Sequence, residues 1–390
     1  IERLGDRDVL IRPELGLYAS TNFSDILSTI EPGVTAAKEQ SAKLANISLG
    51  QDAWDAHLAE RKMPVEPASH LAFVRVVHDG KLAPAVLESK LSVAAGDAID
   101  PALLARNADR LYGLQLYEQV SYKLVQEDVG TGVEYRARTK SWGPNFLQFG
   151  VSLEDDFEGS TAFNLGARLT RAGVNRMGAE WRNDLQLGTD PAFFSEFYQP
   201  LSSNSRVFVA PHINLEQSNI DAFVMDETIA RLRLSEAEAG LDFGRELGRV
   251  GEFRLGVFRG FGEARVKVGD PSIPNIDFNT GGAFARLRFD TLDNARFPRS
   301  GLRSDIQWTL SRPGLGADSE FDTVEAELSQ TWSRGKNSVQ FGVDYATTLE
   351  SDSAIQEYFP LGGFLRLSGL ERGEISGPHA ALAKLVFYRR

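Results

Sequence analysis

The sequence predicts a mainly β protein: a transmembrane antiparallel β-barrel preceded by one small α+β domain. Three observations carry this prediction. From Pro144 to the end of the chain, apolar and polar residues alternate. Several alternating runs exceed the roughly 5–6 residues of an ordinary globular strand. Upstream, helical periods with capping signals sit between strand-like runs.

Composition narrows the function classes. The chain has 390 residues and a net charge of −12, with 42% hydrophobic and 25% charged residues. An acidic balance gives no support for nucleic-acid binding, which usually needs a basic face. There are 24 Phe, 36 Gly and no Cys. An absence of Cys is compatible with an oxidising compartment. No run approaches the roughly 18 apolar residues of a spanning helix, which excludes helical membrane crossing but not a barrel. The chain opens on Ile1 without an initiator Met, so its reading frame is expected to begin upstream.

Residues 1–66 carry helical spacing at Phe23, Ile26 and Leu27 and again from Val34 to Leu44. Met63-Pro64-Val65-Glu66-Pro67 reads as a linker. Residues 70–141 then read as β-α-α-β-β. Leu71 to Val77 forms the first strand, Asp79-Gly80 a turn, and Ala83 to Leu91 a short helix. Asp100-Pro101 starts the second helix, because Asp caps free N–H groups and Pro suits the first helical position. Leu104, Ala108 and Leu111 share one face of it, and strands Tyr117 to Glu127 and Val133 to Thr139 follow.

Residues 144–390 form the barrel, with Asn145 to Leu153 as first strand. Phe163, Leu165, Ala167 and Leu169 alternate with Asn164, Gly166, Arg168 and Thr170. Successive side chains on a strand point to opposite faces, so one face is greasy and the other polar. A soluble sandwich also alternates. The length of Glu227 to Glu246 and Glu252 to Val268 favours a spanning strand. So does a polar face carrying Arg168, Arg286, Arg288, Glu325, Glu327 and Lys384, which suits a wet lumen. Phe193, Phe194, Phe197, Tyr198, Phe387 and Tyr388 are candidates for an interfacial girdle. Short connections (175–178, 202–205, 334–337) are expected to alternate with longer ones (269–277, 312–320). The hairpins count to about twelve strands.

Two motifs resemble the BamA/TpsB-type outer-membrane superfamily. One runs from Gly362-Gly363 through Arg366-Leu367-Ser368-Gly369-Leu370 to a strand ending Phe387-Tyr388-Arg389. The other is Asp290-x-x-x-Asn294-x-x-Phe297-Pro298-x-x-Gly301, the superfamily's periplasmic turn. The resemblance covers roughly residues 70–390. It implies that 70–141 is a POTRA domain and that the Gly362–Gly369 loop folds into the lumen. In the superfamily an Arg occupies the position of Ser368. Arg366, two residues earlier and on the same side if extended, is the expected substitute. The superfamily barrel has about sixteen strands, so an unclosed part is expected here, with the last strand beyond Arg390.

Asp8 to Gly16 and the Ala-rich helix after it resemble the end of a patatin-like phospholipase domain. That order of parts resembles PlpD-type (type Vd) autotransporters. The resemblance implies an outer-membrane translocator for a fused or secreted patatin-like passenger. The implied partners are outer-membrane lipid, periplasmic chaperones and the barrel assembly machinery, with no nucleic acid. The POTRA would lie in the periplasm and the passenger at the surface or beyond. Two alternatives are a BamA/TamA-like assembly factor and a stand-alone phospholipase.

No catalytic residue is expected within the chain. It has no Gly-x-Ser-x-Gly elbow, and Gly373 to Gly377 has the wrong spacing. A Ser-Asp dyad would lie upstream of Ile1. Asp79-Gly80 reads as a plain turn. His57, His70, His78, His212 and His379 have no metal-ligand spacing, and Gly260-Phe261-Gly262 is no nucleotide loop, so no metal or cofactor is expected.

Overall fold

The computed structural model describes residues 8–16, 26–61, 70–155, 161–204, 206–224, 227–269, 274–349, 358–363, 366–370 and 373–390. The chain divides into two units, Ile1–Ala68 and Ser69–Arg390. In the first, α1 (Ile30–Glu39), α2 (Ser41–Ala45) and α3 (Gln51–Arg61) are short helices. The 63–67 linker and Phe23 lie outside the described residues. Among the described residues, no helix is long and apolar enough to cross a membrane, which says nothing of a β-barrel.

The second unit opens with the β-α-α-β-β order expected from sequence: β1 (Val74–His78), α4 (Pro84–Glu88), α5 (Pro101–Tyr112), β2 (Tyr117–Glu127) and β3 (Gly130–Thr139). Asp100 caps α5 by accepting the Ala102 N–H at 2.9 Å. The helix buries Leu104 and Leu111 against Val76, Val133 and Tyr135. β3 is central, parallel to β1 and antiparallel to β2. Asn107 is fully buried on the same helix face, where its Oδ1 accepts the Ser92 N–H at 2.8 Å. A buried Asn with its acceptor engaged ties the α4–α5 connection to the helix. The Asp79 carboxylate accepts the Thr139 N–H at 2.8 Å, so Asp79-Gly80 is the turn that the sequence suggests.

Glu134 lies on the sheet face away from this core, covered by Arg136 (2.7 Å), Arg75 (2.6 Å) and Lys123 (3.4 Å). These cations, the Arg136 hydrogen bond foremost, pull its carboxyl down to about 2. A folded-state value below the unfolded one stabilises above the unfolded pKa and is lost as pH falls through the folded one. The α+β domain is therefore expected to lose stability between about pH 4.5 and pH 2. Denaturant titrations across that range should show a shallower loss in Glu134→Gln. An unchanged loss would count against this role.

The rest of the unit is one 12-stranded antiparallel sheet. Its strands are β4 (Asn145–Asp155), β5 (Thr161–Arg171), β6 (Glu180–Gly188), β7 (Ala192–Pro200), β8 (Val207–Val224), β9 (Glu227–Glu246), β10 (Gly251–Gly269), β11 (Ile276–Asp290), β12 (Gly301–Ser311), β13 (Phe321–Arg334), β14 (Asn337–Thr348) and β17 (His379–Arg389). Two short strands, β15 (Phe359–Leu361) and β16 (Ile375–Gly377), form a separate hairpin before β17. Neighbours in sequence are neighbours in the sheet, except that β17 follows β14. β4 and β17 are the two edges among the described residues.

One face carries exposed Phe149 (73%), Phe243 (54%), Trp332 (55%) and Leu385 (73%). A belt this apolar is costly against water and favourable against hydrocarbon. The other face is concave. Glu196 on β7 reaches Arg254 on β10 at 2.6 Å, although three strand spacings separate them, roughly 14 Å on a flat sheet. Small residues permit the curvature: a Cβ on Gly244, Gly256 or Gly262 would collide with the ring of Phe208, Phe284 or Phe278. Glycines under aromatic rings let a sheet bend while the ring restores packing.

The connections depart from strict alternation of length. The β11–β12 turn spans 291–300, on the same end as the short 175–178 and 335–336 turns, while β6–β7 at the opposite end needs only 189–191. The long turn carries its own internal hydrogen bonds, so length there does not mark the opposite end.

Candidate functional site

Three groups of residues stand out: the motif turn, the β15–β16 loop and a charged cluster on the concave face. In the turn, every motif residue has a local task. Asp290 Oδ1 accepts the Leu292 N–H at 2.9 Å. Asn294 Oδ1 accepts the Arg296 and Phe297 N–H groups, both at 3.0 Å, closing a tight loop. Asp293 Oδ1 accepts the Arg299 N–H at 2.7 Å and the Ser300 N–H at 3.2 Å, which lowers its carboxyl below the usual range. Gly301 holds φ +112°, and a Cβ there would meet the Thr291 carbonyl oxygen.

This folded turn clasps the last strand. The Tyr388 hydroxyl donates to the Pro298 carbonyl, and the Phe297 and Tyr388 rings meet edge to face at 6.0 Å. Arg390 donates to the Phe297 carbonyl at 2.6 Å and covers the Phe297 ring. The turn and the aromatic-Arg strand end, two separate motifs in sequence, are thus one contact.

The second motif forms the loop between β15 and β16. Gly362 is buried at φ +117° and Gly363 has φ +98°. Gly362 N–H donates to Arg366 O, and Gly363 N–H to Leu370 O, each at 3.0 Å. Ser368 and Gly369 are exposed in the following turn. Arg366 is exposed, and no ion pair joins it to a carboxylate among the described residues. Residues 364–365 and 371–372 lie outside the described residues.

The concave face carries the cluster that sequence reading did not single out. Arg254, only 12% exposed, donates to Glu196 at 2.6 Å, Glu252 at 2.9 Å and Asp242 at 3.1 Å. Its guanidinium also lies over the buried Phe208 ring, which packs on Tyr198 at 4.4 Å. Beside it, Arg182 covers Phe194, and Phe194 stacks on His212 at 5.9 Å. His212 Nδ1 stands 3.6 Å from Asp242 Oδ1. Arg182, Phe194, Glu196, His212, Asp242 and Arg254 line a cleft of about 840 Å³. Four of the six polar-face residues named from sequence are also paired: Arg168 with Asp184 (2.6 Å), Arg286 with Asp305 (2.5 Å), Arg288 with Asp305 (3.0 Å) and Lys384 with Asp344 (2.6 Å).

The girdle expectation is corrected for three residues. Phe194 and Tyr198 point into the concave face, and the Tyr198 hydroxyl donates to Glu246 at 2.7 Å. Tyr388 serves the turn clasp. Phe387, 65% exposed, does face outward. Adjacent aromatics necessarily alternate faces, and a phenol hydroxyl settles where an acceptor exists. Among the described residues, no group of three or more His, Asp or Glu side chains could hold a metal.

The α+β domain touches the sheet on the turn side. Ala83 N–H donates to Arg176 O and Ser89 Oγ to Ser203 O, each at 2.8 Å. The motif turn, the last strand's end and this domain therefore share one end of the sheet.

No curated protein matches the chain. Solved structures that share its fold include three outer-membrane proteins. BamA from Haemophilus ducreyi lacking POTRA domains 1–3 superposes with TM-score 0.60 at 16% identity, covering 77% of this chain and 60% of that one. CdiB from Acinetobacter baumannii gives 0.53 at 12%, covering 83% and 60%. CdiB from Escherichia coli gives 0.51 at 12%, covering 81% and 61%. The chain thus spans about three fifths of the length of each. Residues 189–381, from the β6–β7 connection into β17, match the family model of the Omp85 superfamily domain.

Proposed function

We propose that this chain is the translocator part of an outer-membrane protein that exports a patatin-like passenger fused upstream of it. The apolar outward face with a charged concave face is the observation that carries the reading, since only a bilayer-spanning, water-lined wall needs both. Within it, residues 70–141 act as a POTRA domain in the periplasm, and the turn end of the sheet faces the same side. The order of parts and the Asp8–Gly16 stretch support the passenger. The chain itself has no catalytic role; the acyl hydrolase chemistry belongs upstream.

The Gly362–Gly369 loop is the moving part in this reading. Arg366 is exposed and available to a lumen carboxylate. Arg366→Ala is expected to cut passenger at the cell surface by about tenfold, of the order of one lost charge-assisted hydrogen bond. Protease accessibility of the passenger in whole cells measures this, with the heat-modifiable gel shift of the barrel as control for insertion. Unaltered surface passenger with a normal shift overturns the role of Arg366.

A second reading, an assembly factor for other barrel proteins, is favoured by the similarity to BamA. Depletion separates the two: loss of many outer-membrane proteins supports assembly, and loss of one secreted passenger supports translocation.

A further inference from the structure

Six strands run toward the end of the sheet that meets the α+β domain: β5, β7, β9, β11, β13 and β17. On four of them the last outward position is an arginine: Arg171, Arg245, Arg334 and Arg389. In each case the outward residue two positions earlier is large, apolar and exposed: Leu169 (45%), Phe243 (54%), Trp332 (55%) and Phe387 (65%). Strand parity therefore puts a guanidinium one step beyond the apolar belt, on the same face.

These four arginines are exposed and have no carboxylate partner among the described residues. That sets them apart in a chain of net charge −12. At the opposite end two arginines are paired, Arg265 with Asp277 at 2.5 Å and Arg312 with Asp322 at 2.6 Å. Register sharpens the arrangement. Arg334 and Arg389 both pair with Asn337, one from each side, so their Cα atoms stand about 10 Å apart across two strand spacings. Arg171 pairs with Trp181, itself exposed on the outward face.

We infer that this rim binds the phosphates of anionic glycerophospholipids in the leaflet that surrounds it. The inference rests on the reading of the sheet as a bilayer-spanning wall. A phosphodiester lies just beyond the acyl region, where these guanidiniums stand. The planar guanidinium matches two phosphate oxygens at once, and charge-assisted bonds of this kind are strong at an interface. The neighbouring aromatic and Leu side chains meet the first methylenes of the same lipid.

The test uses the full-length protein in phosphatidylcholine bilayers, with tryptophan quenching by brominated phosphatidylglycerol compared with brominated phosphatidylcholine. The unsubstituted protein is expected to prefer phosphatidylglycerol by about fivefold at low salt, with the preference fading as salt screens it. Combined Arg171→Gln, Arg245→Gln, Arg334→Gln and Arg389→Gln should bring the ratio near one while quenching by phosphatidylcholine stays unchanged. The four corresponding Lys substitutions should retain most of the preference. Equal quenching by both lipids in the unsubstituted protein overturns the inference and leaves these cations to an acidic protein partner. A ratio unmoved by the Gln substitutions overturns it too. Absence of quenching by either lipid overturns the bilayer-spanning reading, and this inference with it.

Discussion

Arg254→Met is expected to destabilise the sheet by roughly 3–5 kcal/mol, the range for removing one member of a buried ionic cluster. Three carboxylates converge on this guanidinium: Glu196, Asp242 and Glu252, whose side chains are 8%, 4% and 21% exposed. Without Arg254 they would repel one another where little water can reach. Methionine fills most of the volume, so lost packing is a minor part of the effect. Lost contact with the Phe208 ring adds to it. Urea unfolding in neutral detergent measures the change. The companion substitution Arg168→Gln removes a pair that is half exposed, and should cost less than about 1 kcal/mol. Glu196→Gln on the Arg254→Met background should recover part of the loss, because it removes one of the stranded charges. A cost for Arg254→Met no larger than for Arg168→Gln would show that the cluster is solvated and not a brace of the wall.

Gly301→Val should cost roughly 2–3 kcal/mol, from two separate sources. Its φ of +112° is poorly open to a β-branched residue, and the new Cβ would be driven into the Thr291 carbonyl. The change is confined to the motif turn, which holds Tyr388 and Arg390 through the carbonyls of Pro298 and Phe297. Amide hydrogen exchange at the end of β17 should therefore rise more than exchange in β9 or β10. Gly335→Ala supplies the contrast: φ is +61° with nothing near the added Cβ, so only backbone strain of about 1 kcal/mol applies. Equal effects of the two substitutions, or uniform exchange across the sheet, would show that the turn does not anchor the last strand.

Much of this architecture is legible in the order of residues. Alternation of period two names strands and divides their side chains into two sets, because neighbouring Cβ atoms must point apart. It placed Arg168, Arg286 and Lys384 together on a polar face and Phe163, Leu165 and Leu169 on the greasy one. Asp100-Pro101 named a helix start because capping is a local matter of one side chain and one N–H. The motif turn was legible for the same reason: Asp290, Asn294 and Gly301 act on backbone groups within the turn itself.

Contacts between distant strands were not legible. Glu196 and Arg254 lie 58 residues apart, and Tyr388 and Pro298 90 apart. Nothing local joins them; the register of several hairpins and the curvature of the sheet bring them together. The aromatic pairs show the limit most directly. Period two says that Phe193 and Phe194 face opposite ways, but not which one faces in, since both faces of this sheet accept a ring. The concave side took Phe194 and Tyr198 because Arg182, His212 and Glu246 are there to receive them. Local backbone chemistry thus settled the strands, the turns and the two faces. Which charges meet across the wall was settled only by tertiary structure, because side chains that far apart in the chain interact only once the sheet has bent.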